Sequence, residues 1–208
     1  MGRIRKKRIG VMGGSFNPIH TGHLFAAEEA LFHLSLDQVV FVPSPRPPFK
    51  QEEDLLDAET RYLMAALATA ANPRFTVSRV EMEREGVSYT VDTVRELRKS
   101  YPARSEVYFI MGMDAAMELA DWKDPEGLLE MCFIVVVSRP GHDRDQVMKG
   151  LDARTKRLLR HPNLRFMETP GLNVSASDIR ERVREGRPYR YLLPEAVAGF
   201  IDGRGLYR

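Results

Sequence analysis

The sequence predicts an α/β fold built on a doubly wound, mostly parallel sheet, and three observations predict it. Short apolar runs alternate with stretches of helical periodicity to about residue 140. The runs around Ile9 to Met12, Gln38 to Val42, Val107 to Met111 and Phe133 to Val137 lack the polar alternation of a half-exposed strand, as expected when both faces are covered. With right-handed crossovers, the strand ends after Met12, Val42, Met111 and Val137 fall along one edge, and each carries unusual residues. A length of 208 residues suits one domain, 1–208, with a small carboxyl-terminal helical portion from about 174 to 208.

The elements follow in order. The first strand runs into Gly13, Gly14 and a Ser15-Phe-Asn-Pro turn, and Leu24, Ala27, Leu31 and Leu34 predict a helix from about Thr21 to Leu34. After the second strand, Pro43 to Lys50 packs four prolines into six residues, which makes it a rigid loop carrying Arg46 and Lys50. Asp57 to Ala71 reads as a helix with Asp57 as N-cap, Leu63, Ala66, Leu67 and Ala70 as its buried stripe, and Arg61 in its first turns. Phe75 to Val80 reads as a strand, Glu81 to Gly86 as a charged turn, and Ser88 to Val94 as the lead into a helix ending at Lys99, with Thr90 near its start. Gly112-Met-Asp114 opens a helix to about Ala120, followed by Trp122. Val147 to Arg160 reads as a basic helix and Leu164 to Met167 as a last short strand. Ser175-Ala-Ser-Asp178 is a capping-box-like start to a helix that stops at Gly186, and Pro194 to Ile201 forms a final helix.

Composition excludes several function classes. Hydrophobic residues make up 43% and charged residues 29%, as in a soluble globular protein, and a net charge of +2 gives no case for a nucleic-acid or membrane partner. The single cysteine, Cys132, rules out an internal disulfide framework and fits a reducing, cytoplasmic setting. The longest apolar run, Cys132 to Val137, is too short to cross a bilayer. The basic run Arg3 to Arg8 reads as a solvated lead-in to the first strand. The expected assembly is a monomer or small homo-oligomer.

Chemistry concentrates at the first strand's end. Strand, glycine turn and helix in that order suit a polyphosphate: glycines let the backbone come close with its N–H groups inward, and the helix adds its unpaired N–H groups and dipole. His20 and His23 stand three apart near the helix start, where both imidazoles can meet one ligand. A zinc site would need further ligands, and His33, His142, His161 and Cys132 fall in no ligand spacing, so no metal held by protein side chains is expected. Ser175 to Arg180 supplies a second helix start, with two hydroxyls and an arginine in the second turn.

Gly13-Gly-Ser-Phe-Asn-Pro-Ile-His-Thr-Gly-His23 resembles the HxGH signature of the nucleotidyltransferase superfamily, in the form found in bacterial nicotinate-mononucleotide adenylyltransferases. The resemblance implies a Rossmann-like nucleotide-binding topology and transfer of AMP from ATP to nicotinate mononucleotide, giving deamido-NAD and pyrophosphate, with Mg²⁺ carried on ATP. It implies His20, His23, Lys50 and Arg180 as catalytic cations. It assigns Gly13, Gly14, Ser15, Phe16, Gly112, Asp114, Arg139, Ser175 and Ser177, with those histidines and Arg180, to ATP. It assigns Ser15, Phe16, Lys50, Arg61, Thr90, Trp122 and Lys123 to the acceptor. Pro47 to Lys50, Ser88 to Thr93, Phe109 to Asp114, Arg139 to Gly141, Ser175 to Arg180 and the tail through Tyr207 extend it along the chain. Asn17 stands where many members carry Asp, and Lys123 where relatives often carry an aromatic. Nicotinamide mononucleotide or another phosphorylated acceptor such as phosphopantetheine stays open, as does, more remotely, a non-catalytic nucleotide-binding protein. An aminoacyl-tRNA synthetase shares the HxGH idea, but the chain lacks its second lysine-rich loop and any tRNA-binding module.

Overall fold

A computed structural model describes residues 6–45, 55–138 and 148–208. Within them, six parallel strands form a sheet: β1 (Arg8–Gly14), β2 (Gln38–Pro43), β3 (Phe75–Val77), β4 (Glu106–Gly112), β5 (Phe133–Ser138) and β6 (Leu164–Glu168), in the order β3-β2-β1-β4-β5-β6. The helices between and after them are α1 (Thr21–His33), α2 (Ala58–Thr69), α3 (Thr90–Lys99), α4 (Met113–Met117), α5 (Pro125–Met131), α6 (Ala153–Leu159), α7 (Ala176–Arg184) and α8 (Glu195–Arg204). This is the doubly wound arrangement that the apolar runs predict.

Those runs do not alternate because successive residues feed two cores. Val39, Phe41, Tyr108, Ile110 and Val135 pack with Ala27, Ala30 and Leu31 of α1, Met64 and Ala65 of α2, Ile179 of α7 and Ile201 of α8. Ile9, Val11, Val40, Phe109, Ile134 and Val136 pack on the other face against Val94 of α3, Ala116 of α4, Leu128 of α5 and Leu158 of α6. Side chains of a strand point alternately to its two faces, so a strand covered on both faces is apolar throughout. Gly10 is the tightest of the strand glycines: a Cβ there would sit 2.9 Å from Leu36 Cδ1 and 3.0 Å from Val39 Cγ2.

The strand order turns back at β1, which lies between β2 and β4. Ligands of open α/β sheets bind where the order reverses, outside the carboxyl ends of the strands. Register sets Gly14 beside Pro43 and Gly112 beside Val137, so the ends of β1, β2, β4 and β5 share one edge.

Four elements differ from the sequence reading. Asp57 does cap α2, accepting from the Thr60 N–H at 2.9 Å, but the buried stripe is Arg61, Met64, Ala65, Ala68 and Thr69. Leu63 and Leu67, expected inside, are 38% exposed. The third strand ends at Val77, where its pairing with Phe41 of β2 stops. The expected basic helix is, among the described residues, interrupted at Asp152, whose carboxylate accepts from the Arg154 and Thr155 N–H groups and so starts α6 anew. Helix α5 had no counterpart in the sequence reading. Asp124 caps it by accepting from the Gly127 N–H at 3.1 Å, and Pro125 opens it.

The shifted stripe on α2 is testable. Met64→Ala should lower stability by about 2–5 kcal/mol, as for a buried large-to-small change, whereas Leu67→Ala should cost under about 1 kcal/mol. Urea midpoints of the two variants check it, and equal losses would return Leu67 to the core.

Candidate active site

The loop from Gly13 to His20 is built by close approaches. A Cβ on Gly14 would lie 3.1 Å from the Phe16 ring. Phe16 has φ of 49°, in the left-handed region, and is 2% exposed. Its ring packs 5.9 Å from Phe41 and edge-on to His23 at 5.2 Å. The Phe16 ring is therefore part of the core, because the left-handed turn aims it inward, where it backs His23, so any contact of Phe16 with a ligand is left to its main chain.

His20 is the N-cap of α1 and His23 its third residue. The His20 backbone N–H donates to His23 Nδ1 at 3.2 Å. An accepting ring nitrogen carries no proton, which puts the His23 proton on Nε2, where it can be given to a phosphate oxygen. The two rings stack at 3.7 Å with an interplanar angle of 28°. Gly22 makes room for this: a Cβ there would sit 3.0 Å from His20 Nδ1 and 3.9 Å from the Val174 carbonyl oxygen. Val174 directly precedes Ser175, the N-cap of α7, so the starts of α1 and α7 are neighbours. Ser175 Oγ accepts from the Asp178 N–H at 3.1 Å, and Ser177 beside it is exposed.

Two arginines grip this loop. Arg180 of α7, 8% exposed, donates from Nη1 to the Asn17 carbonyl at 2.8 Å. Arg61 of α2 is fully buried. It donates to the Ser15 carbonyl at 2.7 Å, Ser44 at 2.6 Å, Pro45 at 3.1 Å and, through Nε, Leu56 at 2.8 Å. Arg61 was expected to meet the acceptor. The structure instead spends its guanidinium on main-chain carbonyls that join the end of β1 to the end of β2.

A cavity of about 280 Å³ opens where the strand order turns. Its floor is apolar, with Val11, Val42, Phe109 and Met111. Its rim brings together Gly13, Gly14, Ser15, Thr90, Gly112, Trp122 and Lys123. Tyr89, the N-cap of α3, makes no side-chain cap, so the amino end of α3 reaches the rim with its first N–H groups lacking that partner. Trp122 stands edge-on to Phe109 at 5.9 Å. Lys123 Nζ bonds Asp92 Oδ2 at 2.9 Å and lies 4.5 Å from the Tyr89 ring centre. The Lys123 hydrogen bond is the main cause holding the Asp92 carboxyl below its ordinary range. Asp114, in the first turn of α4, is exposed beside Gly112. Lys50, Arg46 and Arg139 lie outside the described residues.

Glu81 was missed. It sits in a run whose charge reads as a solvated turn, yet it is 7% exposed and lines the cavity. Burial pushes its carboxyl above the ordinary range, against the opposing pull of the Thr93 and Ser44 hydroxyls and Arg84. The Thr93 hydroxyl donates to Glu81 Oε1 at 2.7 Å. No local pattern could have found it, because its partners come from β2's exit and from α3.

A bend of backbone donors, two helix starts, stacked imidazoles and an apolar slot beside them suit two linked tasks: binding a polyphosphate and seating a flat ring. The profile of the cytidylyltransferase-like family matches residues 11–182. The chain belongs to this family. Among its relatives, a protein of Moorella thermoacetica named probable nicotinate-nucleotide adenylyltransferase is 48% identical over 206 residues, 98% of this chain and 93% of its own. One of the same name from Clavibacter michiganensis is 47% identical over 97% of this chain and 94% of its own. A solved Plasmodium falciparum nicotinic acid mononucleotide adenylyltransferase complexed with NaAD aligns with a TM-score of 0.76 over 97% of each chain at 17% identity, which shows a shared fold.

Arg61→Met should lower stability by about 3 kcal/mol, because buried carbonyls of three segments lose their donor. A denaturant midpoint checks it. A rise in acceptor KM with no loss of stability would instead give Arg61 a substrate contact.

Proposed function

We propose that this chain transfers AMP from ATP to nicotinate mononucleotide, releasing pyrophosphate and forming deamido-NAD. The observation that carries the reading is the junction of two sub-sites at the turning point of the sheet: a phosphate-suited bend with His20, His23 and the start of α7, and an apolar slot between Trp122 and the start of α3.

The acceptor's phosphate oxygen is already a nucleophile near neutral pH, so the reaction needs alignment and charge neutralisation more than a base. His20 and His23 donate to phosphate oxygens on which charge builds as pyrophosphate leaves. The amino end of α7, with Ser175 and Ser177, holds the outer phosphates. Arg180 keeps the bend in shape through Asn17 and adds fixed positive charge beneath it. Lys50 and Arg139 are assigned by resemblance to the acceptor phosphate and the nucleotide, and Gly112 and Asp114 to the adenosine side. In the slot, Trp122 stacks on the pyridine ring, and backbone N–H groups at Thr90 and beside Lys123 meet its carboxylate.

The donors of this site are imidazoles, guanidinium and backbone N–H, which suit phosphate rather than a hard cation. Among the described residues no group of three His, Cys, Asp or Glu converges as a metal site. We read Mg²⁺ as travelling on the ATP phosphates and water, where it would neutralise charge on the leaving group.

Pyrophosphate release from ATP and nicotinate mononucleotide tests the reading, with nicotinamide mononucleotide as the competing acceptor. His20→Ala and His23→Ala should each cut kcat by about 10²-fold or more, on the scale of a lost transition-state donor. Near-wild-type turnover in both would remove the pair from the mechanism, and absence of turnover by the unaltered protein would sink the activity.

A further inference from the structure

We infer that Glu81 is a specificity-determining residue of the acceptor slot, its buried carboxylate serving as counter-charge to the positively charged ring of an N-ribosyl pyridinium seated against Trp122. The inference rests on the acceptor reading above and deepens it from the shape of the slot to its charge.

Glu81 lines the same cavity as Trp122 although almost none of its surface meets solvent. Its carboxyl is fixed rather than mobile, since Oε1 accepts from Thr93 on the first turn of α3, and Thr93 in turn accepts from Arg84 Nη1 at 3.2 Å. The balance of charge around the slot is unexpected for a pocket that takes an acid. Among the described lining residues the carboxyl and ammonium side chains are Glu81, Glu118 and Lys123, and the Lys123 ammonium is already bonded to Asp92.

Side chains of that sign do not select a carboxylate. The start of α3 answers for the anion with backbone N–H groups, which leaves the acidic lining to match the ring's other feature. That feature is a positive charge fixed by the bond between ring nitrogen and ribose, which no change of pH removes. An aromatic face with an acidic neighbour is a general way to hold such a nitrogen. Burial disfavours the charged carboxyl by more than the Thr93 and Ser44 hydroxyls and Arg84 favour it. A pyridinium brought beside it reverses that preference, so the contact strengthens only when the slot is filled with the right ring.

The test compares two ligands in calorimetry: nicotinate mononucleotide, and its carbon-linked analogue 3-carboxyphenyl riboside 5′-phosphate, in which the ring nitrogen is carbon and the charge is gone. Wild-type protein should bind the pyridinium at least about tenfold more tightly, on the scale of one partly screened charge contact. Glu81→Gln keeps the shape and the Thr93 hydrogen bond. It should weaken only the pyridinium ligand and bring the two affinities together, whereas Glu81→Asp should keep the preference. Equal weakening of both ligands in Glu81→Gln would make Glu81 a structural strut and overturn the assignment, as would loss of the preference in Glu81→Asp. Equal binding of the two ligands by wild-type protein would overturn it without any variant. Wild-type protein that bound neither ligand would remove the acceptor reading itself, a result distinct from failure of Glu81 alone.

Discussion

Two buried guanidiniums hold the bend between β1 and α1, and the geometry of the site depends on them. Arg61 takes the Ser15 carbonyl and Arg180 the Asn17 carbonyl. The Ser15 carbonyl, fixed from behind, leaves the Phe16 N–H of the same trans peptide facing the opposite way, as in an anion-binding nest, whereas the Asn17 carbonyl belongs to the bond to Pro18, which has no N–H. The grip also sets fixed positive charge under the bend. Stripping water from an arginine is costly, and charge-assisted bonds to several carbonyls offset much of that cost. Arg61 reaches four carbonyls, so it ties the ends of two strands and the start of α2 to one point.

The sheet explains why this bend lies beside an apolar slot. Because the order turns at β1, the helices that follow β1 and β4 leave to opposite faces of the sheet. The gap between them is floored by the last inward residues of β1, β2 and β4. The His20–His23 pair stands at the head of α1 on one face, and Trp122 follows α4 on the other. The sheet thus separates two groups of residues, with His20, His23 and Ser175 on the side of α1 and α7 and Thr90 and Trp122 on the side of α3.

Much of this was legible in the sequence. Runs without polar alternation gave the covered sheet, and Gly13 to His23 located the bend. Periodicity failed where chemistry and burial part company. On α2 the leucines at 63 and 67 face outward while the charged Arg61 faces inward, so reading hydrophobic residues as buried moved the stripe by one position. Asp152 broke a basic helix that looked continuous, because a side chain that can cap a helix can also interrupt one. The start of α5 is marked in the sequence by Asp124-Pro125, a cap followed by proline in the first helical position. Glu81 is the opposite case. Its surroundings in sequence are charged, and only the approach of Ser44 and Thr93 from elsewhere buries it.

Asn17 receives bonds from far along the chain: its carbonyl from Arg180, 163 positions later, and its Oδ1 from the Tyr207 hydroxyl, 190 positions later, at 2.9 Å. Synthesis runs from the amino end, so the bend emerges from the ribosome long before the residues that set it. A nascent chain therefore carries the histidines before α7 and the tail exist to bond Asn17. Trimming that tail would take the Tyr207 hydroxyl away from Asn17, so a cut at one end of the polypeptide reaches the bend near the other.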